Sequence, residues 1–147
     1  MIHWQLLPLP LLYLSAYFHR HRETYYDLLM AVSERGSWRE WLLFFLRGVA
    51  EQAEDAIGRA RRLQDLQRVW HEQLQAARAT GLMHSMMNLL FERPILAAND
   101  IIERCSVSHQ TAMQTLRRLE SLNIVKEVTG QQRNQRYLAV EIFQVLQ

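Results

Sequence analysis

The sequence predicts a mainly α-helical protein: a helical N-terminal segment with one long helix, followed by a small α+β domain. Three observations lead there. An apolar stripe at alternating four- and three-residue spacing runs along residues 38–79. Residues 80–147 divide into short pieces, each bounded by its own turn chemistry. Basic residues collect in one stretch of that second part. The 147 residues suit two small domains, and the reading divides them as 1–79 and 80–147.

The first 36 residues are aromatic and apolar. Pro10 is placed to open a helix, because its missing N–H would be unpaired there anyway. Leu11, Leu14, Tyr17 and Phe18 recur at helical spacing, as do Tyr25, Leu28, Leu29 and Val32, with a break near His19–Arg22. Gly36 is expected as a C-terminal cap.

Ser37 and Glu40 read as a capping box that starts the long helix. Its first turns, with Trp38, Trp41, Leu42, Phe44, Phe45 and Leu46, are apolar nearly all round and are expected to be buried. Beyond them Val49, Ala53, Ala56, Ala60, Leu63, Gln67, Trp70, Leu74 and Ala77 follow the 3.5-residue period of a coiled coil. Forty helical residues reach about 60 Å, longer than the first block can cover. The stripe is therefore expected to pair with a second copy, giving a homodimer through residues 38–79.

After Thr80–Gly81, Leu82, Met86, Leu89 and Leu90 mark a helix that ends near Arg93–Pro94. Ile95–Leu96 reads as a strand, and Asn99 as the cap of a short helix carrying Ile101, Ile102 and Cys105. Ser106–Ser108 is a tight turn, and a longer helix runs from His109 to Leu122, with Asn123 as its left-handed end. Ile124–Val128 and Arg136–Val140 are strand-like around a polar loop, and Glu141–Leu146 forms a last helix. Helix, strand, helix, turn, helix, strand, loop, strand is the order of a winged helix-turn-helix.

On the helix beginning after Ser108, Ala112, Leu116, Leu119 and Leu122 define one buried face. The opposite face presents His109, Gln110, Met113, Gln114, Arg117 and Arg118. A helix fits the major groove, where Gln pairs bidentately with adenine and Arg with guanine, so Gln110 and Gln114 are the candidates for base reading. Ser108, as the cap, and Thr111 suit a phosphate at the helix N-terminus. Arg117 reaches toward the backbone, and Arg118 borders the core. Arg133 and Arg136 in the loop suit phosphates or a minor groove. Between Ser108 and Tyr137, Arg117, Arg118, Lys126, Arg133 and Arg136 outnumber Glu120 and Glu127 by three, against a net charge of +2 for the chain. The expected partner is double-stranded DNA.

Other chemistry finds little support. Cys105 is the single cysteine, so no intrachain disulfide forms, which suits a reducing cytoplasm. The apolar stretch Leu6–Phe18 contains Pro8 and Pro10 and falls short of the roughly 20 residues a membrane span needs. No Lys or Arg precedes it, as a signal peptide would require. No two of the six histidines have metal-ligand spacing, and no nucleophile motif or phosphate loop is present. No cofactor, metal or membrane partner is expected.

Pro10-Leu11-Leu12-Tyr13-Leu14-Ser15-Ala16-Tyr17-Phe18, then Tyr25-Tyr26-Asp27-Leu28-Leu29, then Trp41-Leu42-Leu43-Phe44-Phe45-Leu46-Arg47-Gly48-Val49-Ala50, resemble the end of a Fic domain. Fic proteins transfer AMP from ATP to hydroxyl side chains, and one bacterial branch carries a winged helix after the Fic core, in this order. The family's catalytic loop, His-Pro-Phe-x-x-Gly-Asn-Gly-Arg, precedes the Pro-Leu-Leu-Tyr-Leu-Ser stretch, and nothing in residues 1–9 matches it. The resemblance therefore carries no catalytic residue onto this chain and implies the tail of such an enzyme, whether a truncated product or half of a split protein. The expected function is a transcriptional regulator or the DNA-targeting arm of a Fic-family protein, not an enzyme by itself. The alternative is a protein-interaction module of a Fic-type AMP transferase that binds no DNA.

Overall fold

A computed structural model describes residues 13–146. Pro10 and Leu11, the expected opening of the first helix, lie outside that range. The chain is mainly helical, with a small three-stranded antiparallel sheet, and it divides into two compact units at Ala60/Arg61.

The first unit contains α1 (Leu14–Arg20), α2 (Arg22–Arg35) and the opening of α3 (Trp38–Ala76). His21 interrupts the helical backbone between α1 and α2 at φ −109° and ψ 39°. Gly36 ends α2 at φ 65°, a conformation that costs glycine nothing for want of a Cβ. The turn into α3 is closed by main-chain bonds, Ser37 N–H to Ala31 O at 3.3 Å and Trp38 N–H to Gly36 O at 2.8 Å. Phe18 packs among Tyr25, Trp41, Phe44 and Phe45, with ring centroids 5.0–6.4 Å away, and Tyr17 is buried against Gly48.

The opening turns of α3 are not buried all round as expected. Trp41, Phe44 and Phe45 are half-buried in the aromatic cluster, but Trp38, Leu42 and Leu46 remain 59%, 50% and 59% exposed. Two short helices cover one side of a helix and leave the other open. That open side continues through Leu43 on α3, and Tyr26 and Met30 on α2 are exposed as well.

The second unit takes in the end of α3, α4 (Gly81–Glu92), β1 (Ile95–Ala97), α5 (Ala98–Cys105), α6 (His109–Ser121), β2 (Lys126–Glu127), β3 (Arg136–Leu138) and α7 (Val140–Leu146). β3 lies between β1 and β2, antiparallel to both, with Tyr137 opposite Leu96 on one side and Glu127 on the other. The strand alternation turns Tyr137 into the core and leaves Arg136 on the opposite, exposed face. The core joins Met83, Met86 and Leu90 of α4, Ile101 of α5, Leu116 and Leu119 of α6 and Ile142 of α7.

Trp70 and Leu74 of α3 belong to the same core, 2% and 0% exposed, with Leu63 and Leu66 packed against it. Trp70 meets Phe91 at 5.5 Å between centroids and donates its Nε1–H to Glu141 Oε2 at 3.2 Å. The second half of the apolar stripe is therefore filled by the chain's own α4 and α7, correcting the expectation that a second copy lies along the whole of 38–79. The unit accordingly reaches back before residue 80. Trp70 and Leu74 fall on the stripe by spacing, but spacing does not say what fills it.

Asn99 is not the cap of α5. β1 runs straight into the helix, with Ala97 at the capping position, and the Asp100 carboxylate reaches back to accept the Ala97 N–H at 2.6 Å. Among the described residues no helix is long and apolar enough to cross a membrane.

Candidate nucleic-acid interface

The local sequence fixes how α6 begins. Ser106 ends α5 in the left-handed region at φ 52°. Ser108 then caps α6, its Oγ accepting the Thr111 N–H at 3.1 Å and lying 2.9 Å from Thr111 Oγ1. The other end is held by tertiary bonds. Gln73 Nε2 donates to Leu122 O at 2.7 Å, and Asn123 turns the chain at φ 58°. Ala112, Leu116 and Leu119 are fully enclosed, and Thr115, which the apolar pattern missed, joins them by donating its Oγ1–H to Thr111 O at 2.8 Å.

With that side sealed, Ser108, His109, Gln110, Thr111, Gln114, Arg117 and Arg118 are all exposed, and so are Arg133 and Arg136 in the β2–β3 hairpin. The nine residues fall into three groups. His109, Arg133 and Arg136 line one open cleft of about 550 Å³, together with Asn99, Met113 and the amide side chains of Gln132, Asn134 and Gln135. Thr111, Gln114 and Arg118 edge a separate hollow of about 310 Å³ beside Thr80 and Met83. Ser108, Gln110 and Arg117 line neither. Arg118 also donates to Ala77 O at 3.2 Å, so its guanidinium is partly committed to the end of the long helix.

The sequence alone does not mark Asn99 or the hairpin amides as site residues. Their place beside His109 depends on the hairpin folding over toward the start of α6, which no local pattern encodes. Neither Arg133 nor Arg136 forms an ion pair among the described residues. The cleft thus presents two unneutralised cations and several hydrogen-bonding amides, a surface that suits anionic, hydrogen-bonding matter.

A carboxylate holds the turn that leaves β2. Glu127 accepts the N–H groups of Thr129 at 2.8 Å and Gly130 at 3.0 Å, and it also accepts the Thr129 hydroxyl. That hydroxyl contact, helped by the two amides and opposed by partial desolvation, lowers the Glu127 pKa below its ordinary value. Glu120 supports the same segment by accepting the Glu127 N–H at 2.9 Å. Burial raises the Tyr137 pKa, with Glu120 adding to the rise and Arg117 opposing it. Gly130, at φ 63°, makes the turn that brings its amide back to Glu127.

No protein-family model matches the chain. No group of three or more His, Cys, Asp or Glu side chains is placed to hold a metal ion among the described residues.

Proposed function

We propose that the second unit is a winged helix-turn-helix and that it binds double-stranded DNA through α6 and the β2–β3 hairpin. The observation that carries the reading is the division of α6 into a sealed aliphatic side and a bare polar one. Gln110 and Gln114 stand free on the bare side for base edges, Arg117 for the backbone, and the Ser108-capped N-terminus for a phosphate. Arg133 and Arg136 extend the cationic surface from the hairpin. The element order from α4 to β3 supports the winged assignment. The strings in α1, α2 and early α3 support a relation to the tail of Fic-family proteins. The protein would then act in the cytoplasm as a transcriptional regulator, or as the arm that takes a Fic protein to DNA.

The test is a salt titration of binding to duplex DNA. Affinity supplied by phosphate contacts must fall steeply as salt rises, and Gln114→Glu with Arg117→Glu must abolish it. No binding at low salt overturns the proposal.

A second reading has its own observation. Trp38, Leu42, Leu43 and Leu46 are all exposed on α3, and clustered exposed apolar side chains of this kind mark association surfaces. The occupant we propose is a second copy, giving a dimer that would favour a two-fold symmetric DNA site. If capture of a Fic-type partner survives Gln114→Glu and Arg117→Glu, and no duplex is bound, the chain is an interaction module instead.

A further inference from the structure

We propose that His71 and His84 together bind a divalent transition-metal ion that fastens α3 to α4. The two residues are thirteen apart, and no sequence spacing links them. The tight α3–α4 connection brings them together: Arg78 turns the chain at φ 48°, and Thr80 starts α4 by accepting the Met83 N–H. Their ring centroids lie 5.0 Å apart with the planes at 59°. Two imidazoles sharing a tetrahedral ion at the usual Zn–N distance of about 2.0–2.1 Å place their centroids roughly 5 Å apart, which is the separation this pair has.

A second observation points the same way. His84 Nδ1 is closed off from solvent and has no hydrogen-bond partner among the described residues. A buried ring nitrogen without a partner costs free energy, and a metal ion would satisfy it. Both residues also line a hollow of about 490 Å³ together with Gln67, Arg68 and Asn88. The Gln67 and Asn88 side chains bond weakly to each other at 3.5 Å, leaving amide oxygens and water to complete the coordination. Glu72 is nearby but is paired with Arg68 at 3.1 Å, so it is not counted as a ligand. Two imidazoles with neutral oxygens favour Zn²⁺, Ni²⁺ or Cu²⁺ over Mg²⁺ or Ca²⁺. An ion bound only by the folded α3–α4 pair must also stabilise the second unit.

The experiment titrates the full chain with Zn²⁺ alone by calorimetry and with Co²⁺ alone by visible absorption. One ion per chain, a rise in Tm with Zn²⁺, and loss of both signals in His71→Gln and in His84→Gln are expected. In parallel, ¹⁵N shifts of the imidazoles in the unsubstituted protein must move for His71 and His84 on adding Zn²⁺, a readout that does not depend on either variant folding. Absence of binding, or binding that leaves those two rings unshifted and moves the other histidines instead, overturns the proposal.

Discussion

The Tyr17 ring lies so close over Gly48 that a Cβ built on the glycine would come 2.6 Å from Tyr17 Cδ1. The ring cannot simply swing away, because His21 and Phe44 flank it with centroids at 4.6 and 5.2 Å. In an exposed helix, Gly→Ala stabilises by about 1 kcal/mol. Here the sign reverses: Gly48→Ala is expected to destabilise the first unit by about 1–3 kcal/mol through overpacking. Thermal unfolding read by the aromatic circular dichroism checks it, with Tyr17→Leu restoring part of the loss. A higher Tm for Gly48→Ala would remove the close approach as a constraint.

The two halves of α3 should respond unequally to truncation. Leu74→Ala, in a fully enclosed site, is expected to cost about 2–5 kcal/mol. Leu42→Ala, half exposed, should cost far less in unfolding of the single chain but weaken self-association if a second copy covers that surface. Chemical denaturation and sedimentation of both variants separate the effects. Equal destabilisation by the two would contradict the division of the helix into an occupied and an open part.

The hairpin should loosen in acid. Glu127 has its pKa lowered by folding, so its contribution is complete above the ordinary carboxylate value and disappears as pH falls through the lowered one. Amide hydrogen exchange at Thr129 and Gly130, corrected for intrinsic rates, is expected to accelerate below about pH 4.5, and Glu127→Gln should weaken the dependence. Protection that is flat with pH would mean the carboxylate does not hold the turn.

Arg133→Ala and Arg136→Ala should weaken duplex binding without selecting among sequences. Each phosphate contact removed is expected to lower the salt slope by about one. Gln114→Ala should instead alter which sequences are preferred, as a base contact does. Fluorescence anisotropy at several salt concentrations distinguishes them, and an unchanged slope in both arginine variants would take the hairpin out of the interface.

Titration of Tyr137 gives an independent check on the sheet. Its pKa is raised, first by burial and then by Glu120, so its contribution is intact below the ordinary phenol value and is lost as pH rises through the raised one. Stability of the second unit should fall above about pH 10 in the natural protein and less so in Tyr137→Phe, as measured by urea unfolding.

Local chemistry in the sequence determined a good deal by itself. Gly36, Ser108 and Asn123 mark helix ends because a left-handed residue or a side-chain acceptor is needed wherever main-chain groups run out of partners. The spacing of Ala112, Leu116 and Leu119 determined which side of α6 would be sealed, and therefore which polar residues stand in solvent. Tertiary structure decided what periodicity leaves open. Spacing says that Trp70, Leu74, Leu42 and Leu46 lie on apolar faces but not what covers them; only the packed chain settles that α4 and α7 fill the first pair while, among the described residues, the second stays exposed. The same holds for His71 beside His84 and for Asn99 beside Arg133. Such neighbours come from different elements, and their proximity depends on how a whole core closes, which the residues between them do not encode.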